Sequence, residues 1–194
     1  LLVQRANLIA KEKNLELTVM FQDESRFGRM NDVKRCWSFG NNRPNISKQM
    51  VREYVYIYGA FNPISGESDM IILPSMTKEA MNCFLDILST RHPDKLILLI
   101  CDGAPNHKET AIKIPNNIII EKIPPRSPQI NPSENMWEEI KEKFFYNKIF
   151  NSMQSLMDRI THAILWYEGQ QNVIKSITGW GWINEGILIG LKEN

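Results

Sequence analysis

The run Leu96-Ile-Leu-Leu-Ile-Cys101 is apolar at every position and stops on Asp102. A strand with one wet face alternates polar and apolar residues. An unbroken apolar run of this length, set between His92-Pro93 and Gly103, is instead the pattern of a strand buried on both faces in a parallel region. Such a strand needs helices above and below it, so the chain reads as α/β with a mixed sheet. At 194 residues it is long enough for one sizeable core.

The flanking segments supply the rest of that sheet. Residues 15–23 alternate and place Leu17, Val19, Phe21 and Asp23 on one face, so a carboxylate ends an apolar stripe. Residues 33–39 and 53–61 are rich in β-branched and aromatic residues, with the turn-like Gly40-Asn-Asn-Arg-Pro44 between them; 68–73 follows the Pro63–Gly66 turn. Together these predict an antiparallel meander. Thr77 is the expected N-cap of a helix in which Ala80, Met81, Phe84, Leu85 and Leu88 recur at helical spacing. Beyond the buried strand come a short helical segment over 107–113, the apolar run Ile118–Ile120, a stiff loop over 124–128, and helices over 132–148 and 152–168.

Composition excludes several classes. With 43% apolar and 23% charged residues and no low-complexity tract, the chain is neither collagenous nor disordered. No stretch approaches the ~18 apolar residues of a membrane span, and the start lacks a signal-peptide pattern. Cys36, Cys83 and Cys101 lie far apart with no zinc spacing, which suggests reduced thiols in a cytoplasmic protein. Leu1 in place of a Met suggests a piece of a longer protein. The net charge of +1 is a cancellation: residues 1–52 hold ten basic and five acidic side chains, whereas 53–94 hold two and six. The basic excess falls on Arg26, Arg29, Lys34, Arg35, Arg43, Lys48 and Arg52, which fits either a phosphate-tracking surface or a solvated hairpin face.

Three carboxylates stand at element ends: Asp23, Asp102 and Glu134. Strand ends facing one crevice are where sites form in open α/β sheets, and carboxylate oxygens suit Mg²⁺ or Mn²⁺ in phosphodiester cleavage. Each also has a structural reading. Asp23 and Asp102 sit where Asp often opens a turn. Asn131, Pro132 and Glu134 match a capping box, with Glu134 satisfying backbone N–H groups.

The longer pattern Ser127-Pro-Gln-Ile-Asn131-Pro-Ser-Glu134-Asn-Met-Trp137 closely resembles the Ser-Pro-x-Leu-Asn-Pro-x-Glu-x-x-Trp signature of mariner-type DDE transposases, in particular their bacterial insertion-sequence branch. Phe21-Gln-Asp23-Glu-Ser25 resembles that family's first catalytic block, Trp37 to Pro44 its Trp-x-x-x-Gly-x-x-Pro hairpin, and Asp102-Gly-Ala-Pro-Asn-His107-Lys108 its second catalytic block. The four blocks fall in the family's order over roughly residues 15–150. Gln129, Ser133 and Gly103 depart from the usual residues, and the 32 positions from Asp102 to Glu134 are slightly fewer than usual.

The resemblance implies an RNase H-like mixed five-stranded sheet flanked by helices. It implies one catalytic domain over 1–194, with a core at about 15–150, C-terminal helices over 152–194, and an N-terminal DNA-binding domain absent from this chain. It further implies a triad of Asp23, Asp102 and Glu134 binding two divalent ions, Mg²⁺ with Mn²⁺ as substitute, and no small-molecule cofactor. Asp23 would bridge the ions. DNA, both element ends and target, would be the partner of a homodimer, with no membrane association, in a bacterial cytoplasm at the nucleoid. The implied DNA contacts are Arg26, Lys34, Arg35, Arg43, His107, Lys108 and Arg126. A metal nuclease of the same fold acting on other nucleic acid, and a non-catalytic DNA-binding remnant, are the competing readings.

Overall fold

The structure, a computed structural model, describes residues 1–40, 44–102, 112–124 and 127–192. Its centre is a five-stranded sheet in the order β3-β2-β1-β4-β5, built from β1 (Glu16–Met30), β2 (Met50–Phe61), β3 (Ser68–Leu73), β4 (Lys95–Cys101) and β5 (Ile118–Lys122). β1 pairs antiparallel with β2 and parallel with β4, and β5 extends the parallel half. The mixed α/β sheet flanked by helices is therefore the fold that the sequence pattern called for.

Leu96 to Leu99 are fully buried because helices cover both faces. On one face α2 (Lys78–Arg91), capped by the Thr77 side chain accepting from the Ala80 N–H, packs Met81, Phe84, Leu85 and Leu88 against Met20, Tyr58, Ile97 and Leu99. On the other, α1 (Leu2–Glu12) and α6 (Gly181–Lys192) cover Val19, Phe21 and Leu98. Farther along that face α3 (Ser133–Phe144), α4 (Met153–Glu168) and α5 (Gln171–Thr178) form the largest apolar cluster with Phe27, Ile57 and Phe61. α1 escaped notice in the sequence because its buried residues are only Ala6 and Ala10, too small to make an apolar stripe. It meets α6 closely at Gly190, where a Cβ would stand 2.5 Å from the Val3 Cβ.

The expected strand over 33–39 does not form. β1 runs on to Met30 and the chain leaves the sheet, returning as β2 at Met50. Two asparagines explain this. Asn31 ties the base of the excursion, donating to the Ser47 carbonyl at 2.9 Å and accepting from the Gln49 N–H at 2.7 Å. Asn147, in a left-handed conformation (φ 62°) beyond α3, donates from its backbone to the Asp32 carbonyl and accepts from the Lys34 N–H at 2.9 Å. With their backbone drawn toward Asn147, Val33, Trp37 and Phe39 are left exposed rather than paired. The same turn ends α3 at Phe144, four residues short of the expected boundary. Most of the helical segment expected over 107–113 lies outside the described residues; 112 and 113 are not helical.

The doubly covered strand makes a direct prediction. Leu98→Ala should cost about 2–5 kcal/mol in chemical denaturation, the range for a fully buried Leu truncated without collapse of the site; a cost under about 1 kcal/mol would mean that the strand is not enclosed on both sides.

Candidate active site

The parallel register of β1 and β4 ends with Gln22 opposite Cys101; Asp102 then leaves the end of β4, whereas β1 continues through Asp23 to Met30, so Asp23 lies within its strand and not at the strand end expected from the sequence. Asp102 is exposed, whereas Asp23 is largely enclosed. Glu134 comes from a different element. Its helix, α3, is fastened to β1 at its first turn: the Ser133 hydroxyl donates to the Phe21 carbonyl at 3.0 Å and the Asn131 amide donates to the Gln22 carbonyl at 3.2 Å, both buried. One turn later the Trp137 indole N–H donates to Oδ2 of Asp23 at 3.0 Å. These bonds bring the start of α3 to the part of β1 that carries Asp23.

The capping box drawn from the sequence is not made. Asn131 does accept from the Ser133 N–H at 3.1 Å, one half of such a box, while its amide reaches β1; the returning bond to Glu134 is missing among the described residues. Glu134 is left exposed in the first turn, where the helix dipole favours a carboxylate.

The other two acids act on Asp23. Burial pushes the Asp23 carboxyl up to about 7; the charges of Glu24, Asp102 and Glu134 add to the shift, and a hydrogen bond from the Glu24 backbone opposes it. Asp23 thus lies within electrostatic reach of both other acids. Among the described residues no three acidic, imidazole or thiol side chains are gathered tightly enough to form a ready metal cage. The donor set nevertheless suits a hard cation: oxygen ligands only, with an enclosed carboxylate whose charge is disfavoured by its surroundings.

Between residues 18 and 157 the chain matches the family model described as DDE superfamily endonuclease. The chain belongs to this family. The resemblance seen in its sequence blocks is thus to the right family. Among curated proteins it is 34% identical over 111 residues, 57% of this chain and 80% of the other, to the uncharacterized protein y4pE/y4sA of Sinorhizobium fredii (strain NBRC 101917 / NGR234). Among solved structures it resembles the Mos1 transposase paired-end complex with left transposon end, at TM-score 0.58 and 12% identity, covering 98% of this chain and 61% of that one. It also resembles the Mos1 mariner paired end complex with Mn, at TM-score 0.58 and 11% identity over 99% of this chain and 62% of that one. The corresponding complex with Mg matches at TM-score 0.53 and 14% identity, over 99% and 63%. At such identities the likeness is one of fold: the sheet and its helices are arranged as in the Mos1 structures, and this chain spans about 61% of the length of the first of them.

The remaining DDE-type candidates are dispersed. Arg26 is exposed and lies 5.1 Å over the Tyr54 ring, Lys34 lies 4.9 Å over Tyr146, and Arg35 is exposed in the excursion between β1 and β2. Arg43, His107, Lys108 and Arg126 lie outside the described residues. Arg29, part of the same basic stripe, is structural: it pairs with Glu53 at 2.6 Å and donates to the carbonyls of Phe150 and Asn151. A cleft of about 570 Å³ at the outer end of the β1–β2 hairpin is lined by Arg26, Arg52, Lys141 and Tyr54 among others, and none of the three acids borders it. Two site features carried no recognised role in the sequence. One is the Trp137 contact to Asp23. The other is Gln22, fully buried with neither end of its amide partnered among the described residues. Spacing alone offers a hint of the first, since Trp137 stands three residues after Glu134 and so on a neighbouring part of the helix surface.

The raised Asp23 carboxyl sets a pH dependence. Its folded value exceeds the unfolded one, so its stabilising contribution is complete below about pH 4 and is lost as pH rises through about 7. In chelator, wild-type stability should therefore fall from pH 5 to 8 relative to Asp23→Asn; parallel melting-temperature curves for the two proteins would rule out an enclosed, proton-binding Asp23.

Proposed function

We propose that this chain is the catalytic domain of a cut-and-paste DNA transposase, cleaving DNA at element ends and transferring the freed strand to a target. The observation that supports the reading best is that the charges of Asp102 and Glu134 both act on the Asp23 carboxyl in a chain of the DDE superfamily endonuclease family. Asp23, Asp102 and Glu134 are the proposed metal-holding triad, and two ions, Mg²⁺ or Mn²⁺, are the proposed complement, with Asp23 common to both. When bound, such ions lower the pKa of water and stabilise the leaving oxygen in phosphodiester cleavage.

The chain's own residues have distinct parts in this. Asp23, held by the indole of Trp137 and by the Glu24 backbone, supplies a fixed carboxylate from inside the fold. Asp102 and Glu134, both exposed, supply charge from the solvent side, where a DNA strand would approach. The bonds from Asn131 and Ser133 to β1 keep α3 from drifting away from the strands. Mos1 is the protein whose complexes contain a transposon end and Mn or Mg; DNA and these metals are extended to this chain as part of the proposal. Arg26, Lys34 and Arg35 on the exposed hairpin are proposed to follow DNA phosphates, together with Arg43, His107, Lys108 and Arg126. A homodimer on DNA, in a bacterial cytoplasm, completes the reading. No helix of the described residues is long and apolar enough to cross a membrane.

The decisive experiment is cleavage of duplex DNA carrying the element ends, in Mg²⁺ and in Mn²⁺, beside an RNA–DNA hybrid. Asp23→Asn, Asp102→Asn and Glu134→Gln should each slow strand cleavage by roughly a thousandfold or more while folding and DNA binding persist. Wild-type rates in either Asp variant would refute the triad. A Glu134→Gln protein that cuts normally but melts earlier would assign that residue to the helix start, and preference for the hybrid would replace transposition with another nuclease role. DNA binding without cleavage by the wild type would mark a non-catalytic remnant. For the phosphate contacts, Arg26→Ala and Arg35→Ala should each weaken duplex binding and reduce the slope of log K against log salt by about 0.9; unchanged slopes would return these residues to a solvated face.

A further inference from the structure

Position 59 of β2 lies directly opposite Asp23 in the antiparallel register, and it is a glycine. A Cβ there would come within 2.6 Å of Cη2 of Trp137 and 2.9 Å of the Phe61 ring. The missing side chain is what allows the indole to lie across the strand. Phe61 and Phe27 stand edge-on to that indole, at centroid distances of 5.4 and 6.3 Å, and Trp137 is 3% exposed. The ring is therefore held on several sides, and its only N–H is aimed at Oδ2 of Asp23 at 3.0 Å.

We propose that Trp137 is the positioning residue of Asp23, with Gly59 as the clearance that makes the contact possible. This rests on the reading of Asp23 as a metal ligand. An indole is a donor only and carries no charge. It can orient one carboxylate oxygen without neutralising the group or repelling an incoming cation, as a lysine or arginine at the same place would. A carboxylate offers about four lone-pair positions; the indole and the Glu24 backbone N–H engage part of them and leave the remainder for a cation. Fixing a buried carboxylate beforehand also lowers the ordering cost when an ion binds, which is why partners of metal ligands affect affinity. Cη2 belongs to the six-membered ring, remote from Nε1, so a methyl group at position 59 would tip the indole and draw its N–H from Asp23.

The test is Mn²⁺ affinity, read from the electron spin resonance signal of the free ion, alongside the indole N–H signals of ¹⁵N-labelled protein. The chain has five tryptophans, and Trp137→Phe assigns the one signal that matters. Trp137→Phe and Gly59→Ala should each weaken Mn²⁺ binding roughly 10- to 100-fold, and substoichiometric Mn²⁺ should broaden the Trp137 indole signal in the wild type. Phe84→Leu, on the opposite face of the sheet, controls for lost stability without a lost hydrogen bond and should leave Mn²⁺ affinity unchanged. Equal Mn²⁺ affinity in wild type and Trp137→Phe, including no binding by either, overturns the proposal. If Trp137→Phe proves unfolded, the Gly59→Ala affinity and the wild-type broadening decide it by the same criteria. A wild type that binds Mn²⁺ through this arrangement but cuts no DNA would sink the transposase reading and leave the positioning role standing; one that cuts DNA with Mn²⁺ affinity indifferent to Trp137 would do the reverse.

Discussion

The attachment of α3 to β1 is the constraint on which the rest of the site depends. Among the described residues, β1 is the only strand hydrogen-bonded both to the antiparallel half of the sheet and to the parallel half. Near its middle, the carbonyls of Phe21 and Gln22 also accept from Ser133 and Asn131, two almost fully buried polar side chains. A buried donor left without a partner costs about 1–3 kcal/mol, so sliding α3 along the strand would expose or orphan both groups. The helix has one favoured position, and in it Trp137 reaches Asp23.

Packing reinforces that position from below. Met136, Trp137, Ile140 and Phe144 of α3 enter the same apolar cluster as Phe27, Ile57 and Phe61 of the sheet and Leu156, Ile160 and Tyr167 of α4. Apolar burial supplies most of the attraction but little direction; the buried hydrogen bonds supply the register. The outcome is an enclosed carboxylate with two exposed ones nearby, a charge arrangement that is unfavourable by itself and that a divalent cation would relieve. The order of elements serves this purpose: Asp23 comes from within β1, Asp102 from the end of the adjacent parallel β4, and the third is brought across by a helix more than a hundred residues later than the first.

Much of this could be read directly from residue order. The unbroken run at 96–101 announced a doubly covered strand, and β3, β4 and α2 begin and end close to where alternation, apolar runs and capping residues change. The sequence blocks pointed to the endonuclease family; Asp102 follows β4 and Glu134 stands in the first turn of α3 as expected, but Asp23 lies within β1, which runs on to Met30 because it keeps pairing with β2. Where local pattern misled, long-range bonds were responsible. Residues 33–39 have strand composition, but Asn31 and Asn147 engage their flanks and hold them off the sheet. Asn131, Pro132 and Glu134 spell a capping box, yet the Asn131 amide is drawn to β1. α1 is invisible to a periodicity argument because alanine carries so little apolar surface, and it is stabilised by α6, nearly the full chain length away.

The sequence by itself determined the class of fold and the family and singled out three acids as candidates, since those follow from periodicity and from short blocks whose residues are neighbours in the chain. Only the tertiary structure decided that Asp23 is enclosed while Asp102 and Glu134 are exposed, that Arg29 is tied up structurally while Arg26 and Arg35 are exposed, and that Trp137 reaches Asp23 across the space left by Gly59. The physical reason is the same in each case: burial, charge coupling and steric clearance depend on distances between residues far apart in the chain, and those distances exist only once the sheet and α3 have closed on one another.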